Sequence, residues 1–370
     1  MRRMLIVLLA VGLLAGACGE SKDPSQDPQG ALVSAFEKMN EGDGQSITLS
    51  VQSDPGSLVA LSEKGEGSPI DADLAEKILS SSISFGGNNT KDLDDARGNV
   101  VFNIAGEDAV EMRILGSIVY LRADVPYLLD TFGGDEADLG KAREAADRPG
   151  LEFITPALEG EWLALRGLEE LQKAGGASPR LLADQQQKLF RELTVAIEED
   201  AKVTHEGTDD AGDHLLVAIP LRKAYEDFRR YMTQLSGSFP TGTPGGFPDA
   251  SEVPDEDALI DMWVRDGALT QLEFDLIKNK ALLPEAPPEG VEKVALRIAI
   301  EEFDEEVEVP DGATDVDLKT LMGAFLGGMG GVDSAGSGSA GTPEIDCSLY
   351  KNASPEVKKA ISGQCPEYAN

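Results

Sequence analysis

Residues 260–276 read IDMWVRDGALTQLEFDL, and their alternation decides the fold. Asp266-Gly267 is the strongest two-residue hairpin signal in the chain. A type I′ turn needs positive φ at both central positions, which Gly adopts freely and Asp tolerates. On either side Met262 and Val264, then Leu272 and Phe274, alternate with polar or bulky neighbours, predicting antiparallel strands over 259–265 and 269–277. A third strand follows at 291–301, where Val294, Leu296, Ile298 and Ile300 share one side. Alternation of this kind marks a sheet with one covered face.

Working outward, the same pattern recurs. The segment 109–115 contains Val110-Glu111-Met112-Arg113-Ile114, apolar on one side and charged on the other. Flanking runs at 83–85, 99–105 and 117–122 are separated by turn residues, including Gly106-Glu107-Asp108 and Gly116, predicting a meander. Further strands are predicted at 46–53, at 202–206 with 214–219, and over the short run 306–309 that ends at Pro310. Between them lie helical spacings. Leu32, Phe36 and Met39 recur at i, i+4 and i+7, and Asp71 suits an N-cap for a short helix carrying Leu74 and Ile78. Longer helices are predicted over 181–199, from Pro220 as a first helical residue to Leu235, and over 317–329. The stretch 126–162 reads as helix and loop, and the Gly/Pro-rich stretch 236–256 as a surface loop.

The first eighteen residues, MRRMLIVLLAVGLLAGAC, have the layout of an export signal. Arg2 and Arg3 precede an apolar run from Met4 to Leu14 that is too short to span a bilayer, and small residues lead to Cys18. The predicted organisation is a signal peptide over 1–17, a polar tether over 18–28 and a folded domain over 29–329. A Gly/Ser linker over 330–341 and a tail over 342–370 complete it. In an exported chain Cys347 and Cys365 are predicted to form a disulfide around the short helix that starts near Pro355. In the chain-entropy model such a staple stabilises by about 3 kcal/mol.

Composition and motifs mainly exclude. A formal net charge of −35, spread along the chain, repels nucleic acid, so no nucleic-acid partner is predicted. There is no Gly-x-Ser-x-Gly, no phosphate-binding loop and no His-Glu-x-x-His. Ser348-Leu349-Tyr350-Lys351 spells Ser-x-x-Lys without its companion elements. His205 and His214 would face each other across the hairpin if it turned symmetrically about Asp209 and Asp210, with Glu206 and Asp213 adjacent. Two ordinary strand residues are the simpler reading, so no metal, cofactor or catalytic residue is assigned, and the chain is read as no enzyme.

The lipobox-like Leu14-Ala15-Gly16-Ala17-Cys18, the early helix, VEMRILGSIVYLRADVPYL, IDMWVRDGALTQLEFDL and VALRIAIEEFDEEVEVP together resemble the actinobacterial cell-envelope lipoproteins of the LppX and LprG type. Their fold is similar to that of the LolA carrier. Ala15 departs from the larger aliphatic residue usual three places before the Cys. The resemblance implies an α+β fold, a curved antiparallel sheet forming a half-open barrel with helices packed on its concave face. It also implies lipidation at Cys18, anchorage to the extracytoplasmic face of the cell membrane, and an apolar cavity for an acyl lipid. Cavity-lining candidates are Met112, Ile114, Met262, Val264, Leu272, Phe274, Leu296 and Ile298. Alternation alone shows which face is covered and not whether a void lies beneath it, so a solid core is the simpler reading for any one of these positions. The alternative function is therefore a non-enzymatic envelope interaction or sensing lipoprotein with a solid core.

Overall fold

The computed structural model describes residues 22–64, 69–88, 90, 92–133, 136–146, 151–167, 199–236, 249–283 and 286–317. The predicted signal peptide, Cys18, Cys347, Cys365, the linker and the tail lie outside these residues, as do nearly all of the predicted helices at 181–199 and 317–329.

The α+β class is as predicted. Twelve strands form one open, curved sheet: β1 Gly44–Ser53, β2 Ser82–Asn88, β3 Arg97–Ile104, β4 Glu107–Leu115, β5 Ile118–Ala123, β6 Leu163–Arg166, β7 Lys202–Asp209, β8 Gly212–Pro220, β9 Asp257–Arg265, β10 Ala268–Asp275, β11 Val294–Glu302 and β12 Thr314–Asp317. The spatial order is β12-β6-β5-β4-β3-β2-β1-β11-β10-β9-β8-β7. Two meanders, β1 to β6 and β7 to β11, are thus welded where β1 pairs antiparallel with β11, Leu49 opposite Ile298. Only β12 with β6 is parallel.

Asp266 and Gly267 both have positive φ, 53° and 73°, so the β9–β10 connection is the type I′ turn the sequence predicts. The β3–β4 connection turns one or two residues earlier than predicted, with Ala105 and Gly106 at positive φ. Two strands were not readable in the sequence. Residues 163–166, just past a stretch read as helical, form β6, while the predicted run 306–309 is extended but unpaired and the strand lies at Thr314–Asp317. That unpaired stretch is a strap across the polar face. The Phe303 ring lies over Gly86, Asn99 Nδ2 donates to Glu305 Oε2 (2.5 Å), and Arg113 donates to the Glu308 carbonyl (3.2 Å). Val307 is buried while Val309 is exposed.

Among the described residues seven α-helices accompany the sheet: α1 Pro28–Glu41, α2 Pro55–Ser62, α3 Ala72–Leu79, α4 Val125–Phe132, α5 Glu136–Ala146, α6 Ile154–Leu158 and α7 Leu221–Ser236. Aspartates cap the first four, each accepting from a backbone N–H of the first turn: Asp27 from Gly30, Asp54 from Ser57, Asp71 from Leu74 and Asp124 from Tyr127. Pro220, predicted as a first helical residue, is instead the last residue of β8, opposite Asp257. The described residues begin at Lys22, within the predicted tether. Asp23 accepts hydrogen bonds from Ser25 and Gln26, and Lys22 pairs with Asp27 at 2.9 Å.

Candidate functional site

Register assigns every strand residue to a face, since directly paired residues point the same way. Ile47, Leu49 and Val51 of β1 pair with Phe85 and Ile83 of β2 and with Ile300, Ile298 and Leu296 of β11. Following the pairs outward, the same face carries Val100 and Phe102, then Val110, Met112 and Ile114, then Val119 and Leu121, and then Leu163 and Leu165. In the other direction it carries Leu272 and Phe274, Met262 and Val264, then Leu215 and Val217. One continuous apolar face crosses all twelve strands, and all eight predicted cavity candidates lie on it.

The two halves of that face are covered differently. Helix α1 packs Leu32, Ala35, Phe36 and Met39 against β8 to β11, where Leu215, Val217, Ile260, Met262, Val264, Leu269, Leu272, Phe274, Ile298 and Ile300 are buried. Met262, Val264, Leu272, Phe274 and Ile298 therefore sit in a filled core, and α1 occupies the space opposite them. On β2 to β5 the same face is incompletely covered. Val100, Phe102, Val110, Met112, Ile114, Val119 and Leu121 are only half-buried, and Ile83 and Phe85 are 37% and 38% exposed. Met112 and Ile114 belong to this half-covered set, and Leu296 of β11 is likewise only half-buried. Among the described residues, α3 touches β1, α4 touches β4 and α6 touches β5, leaving the middle of β2 and β3 the least shielded.

The most exposed members, Ile83 and Phe85, were not among the predicted lining residues. Their signal was the alternation of Ser82-Ile83-Ser84-Phe85, which the following Gly86-Gly87 cut short. Large apolar side chains held in an open row cost hydration free energy, about 25 cal/mol for each Å² left in water. Contiguous surfaces of this kind mark binding sites.

The opposite face is polar and structural. Thr48 bonds Ser84 across β1 and β2, and Trp162 lies within cation–π range of Arg113 (4.8 Å) and Arg122 (5.1 Å). On β8 to β11 the carboxylates are buried but compensated. Asp261, 2% exposed, meets His214 Nε2 at 2.8 Å and Lys278 Nζ at 2.6 Å. Glu273 pairs with Lys293 at 2.5 Å and Arg297 at 3.2 Å. The His214 ring stacks on Trp263 with centroids 4.6 Å apart. The Trp263 indole N–H donates to Asp209 at 2.9 Å and is the main cause holding that carboxyl below the usual carboxylate range.

The paired-histidine arrangement does not form. The hairpin turns about Asp210 and Ala211, and a bulge between His205 and Gly207 pairs His205 with Leu215 and Gly207 with His214. The bulge sends the two imidazoles to opposite faces. His205 instead meets Asp213 at 3.1 Å. Among the described residues no group of three His, Cys, Asp or Glu side chains could hold a metal ion. No helix among them is long and apolar enough to cross a membrane.

Fold and site together define an open α+β sheet whose single apolar face is sealed on one half and partly uncovered on the other. No protein-family profile matches the chain, and no curated protein matches it. Among solved structures, the crystal structure of the Mycobacterium tuberculosis lipoprotein LppX is similar, at 9% identity over 78% of this chain and 100% of that chain, with a TM-score of 0.32. A superposition that loose bears no weight for function, and the fold class rests on the strand order and register.

Proposed function

We propose that the chain is a non-enzymatic, extracytoplasmic lipoprotein that holds an acyl lipid against the half-covered apolar face of β1 to β6. The observation that carries this reading is the contrast between the two halves of one face. The same alternation that is buried under α1 on β8 to β11 is left partly in water on β2 to β5, with Ile83 and Phe85 more than a third exposed. An acyl chain laid over that row would remove apolar surface from water on both partners. It requires shape and apolar area and no exact polar motif. The lipobox-like run ending at Cys18 supports the anchor and the address. The packed core under α1 favours a second reading, an envelope interaction module whose open half docks a protein.

The test is native mass spectrometry of the chain from residue 19 onward, purified without detergent, followed by solvent extraction. Co-purifying acyl lipid, lost in Phe85→Asp but kept in Thr204→Asp on the far edge strand, supports the proposal. A bare mass that gains no added phospholipid or glycolipid refutes it and leaves the interaction module.

A further inference from the structure

The start of α1, to which the anchor is tied, lies by the β7 edge of the sheet, whereas the least shielded strands, β2 and β3, lie near its middle. We infer that the β7 edge and the start of α1 face the bilayer, held near it by the short link to Cys18, with the half-covered face of β2 to β5 held farther out. The inference rests on lipidation at Cys18, as proposed above, and adds the posture that such an anchor imposes.

The first step is chain length. In the sequence only Gly19, Glu20 and Ser21 separate Cys18 from Lys22. Four residue steps span at most about 14 Å, however the chain between is arranged. The second step is that Lys22 is fixed to the domain. It pairs with Asp27, whose carboxylate caps α1 through the Gly30 N–H at 2.9 Å. Helix α1 in turn buries Leu32, Ala35 and Phe36 in the core. The third step locates this end of the helix. Helix α1 touches β7 as well as β9 and β10, and near its far end Lys38 donates to the Asp266 carbonyl of the β9–β10 turn at 2.7 Å, which leaves its start on the β7 side.

Strand β7 is one edge of the sheet, and β2 stands six strands away and β6 ten strands away in the order. At about 4.8 Å per strand these are roughly 29 Å and 48 Å along the sheet. The β7 edge also carries Glu199, Asp200, Glu206, Asp209 and Asp210 against Lys202 and Lys22. Anionic head groups repel such an edge, which opposes its lying down and favours contact through the short link alone. Lipid would then reach the open face from a partner or a facing membrane more readily than from the bilayer that anchors it.

The chain has two tryptophans, and they report this posture directly. Trp263 lies on β9, two strands in from β7, and Trp162 immediately precedes β6. The full chain, acylated at Cys18, is placed in phosphatidylcholine vesicles containing phosphatidylglycerol and a trace of dansyl-phosphatidylethanolamine as energy acceptor. Trp162→Phe, which reports Trp263, is expected to transfer severalfold more efficiently than Trp263→Phe, which reports Trp162. A long Gly/Ser insert between Glu20 and Ser21 is expected to abolish the Trp263 signal. Equal or reversed transfer from the two tryptophans overturns the posture and leaves the lipid-binding reading standing. Should Trp263→Phe fail to fold, Trp162→Phe with and without the insert decides alone, and unchanged transfer overturns the inference. Absence of acylation on Cys18, read from the intact mass, overturns the anchor and the posture together.

Discussion

Truncating two phenylalanines of the same apolar face system separates its sealed half from its open half. Phe36 of α1 is 1% exposed in the core, whereas Phe85 of β2 is 38% exposed. Phe→Ala in a close-packed core costs about 3–5 kcal/mol, because lost transfer free energy and a residual cavity add. Full burial of such a side chain is worth about 1.5–3 kcal/mol. Phe85 retains about three-fifths of that burial and leaves no closed cavity, so Phe85→Ala is expected to cost about 1–2 kcal/mol. The expected gap between the two variants is thus about 2–3 kcal/mol. Urea denaturation of the lipid-free chain measures it, provided the m-value is unchanged between variants. Adding lipid should then stabilise the wild type and Phe36→Ala but raise Phe85→Ala much less, since binding to the native state adds RT ln(1 + [L]/Kd), which shrinks as Kd rises. Equal losses for both variants in lipid-free protein would refute the claim that the β2 to β5 face is open.

Three further outcomes are expected. In Gly86→Ala the new Cβ would lie 2.5 Å from a Phe303 ring carbon and 2.9 Å from Asn99 Oδ1, so the strap must lift. The cost should be about 1–3 kcal/mol, with faster proteolysis of residues 303–313 in limited digestion. Gly267→Val places a β-branched residue at a φ of 73°, and should lower stability by about 1–2 kcal/mol in chemical denaturation, with more of the loss than in a surface strand position. Trp263→Phe removes the indole hydrogen bond that chiefly lowers the Asp209 pKa. A depressed carboxyl stabilises the fold above its ordinary pKa near 4 and loses that contribution as pH falls through the lowered value. The stability gap between wild type and Trp263→Phe should therefore be wider at neutral pH than at pH about 3, the packing part being constant. A gap that widens on acidification would contradict the assigned bond.

Much of the sheet was legible because its signals are local. Asp266-Gly267 names its own turn type, and Val294 to Ile300 announce their common face by alternation alone. What escaped reading depends on distant partners. The pairing of β12 with β6 requires Thr314 N–H to meet the Trp162 carbonyl, a contact between segments far apart in sequence. The alternation of Glu306-Val307-Glu308-Val309 mimics a strand, yet those residues serve as a strap in which only one valine finds cover. The histidine pair failed on a turn one residue later than assumed and on a bulge that puts His205 and His214 on opposite faces. Of the eight cavity candidates, alternation placed all on one common face but could not tell the five buried beneath α1 from Met112 and Ile114 in the half-covered set, or from Leu296, half-buried on β11. Cover is supplied by another element, and a strand's own sequence carries no record of it.

The central claim is that acyl lipid occupies the open half of the apolar face. Photo-crosslinking of the full chain with a diazirine-bearing phospholipid, mapped by peptide mass spectrometry, tests it most directly. Adducts concentrated on β2 to β5, at Ile83, Phe85, Val100, Phe102 and Met112, with none on the polar-face residues His214, Glu273 and Arg297, are the predicted result. Adducts scattered over both faces, or none above the level of a Phe85→Asp control, would contradict it.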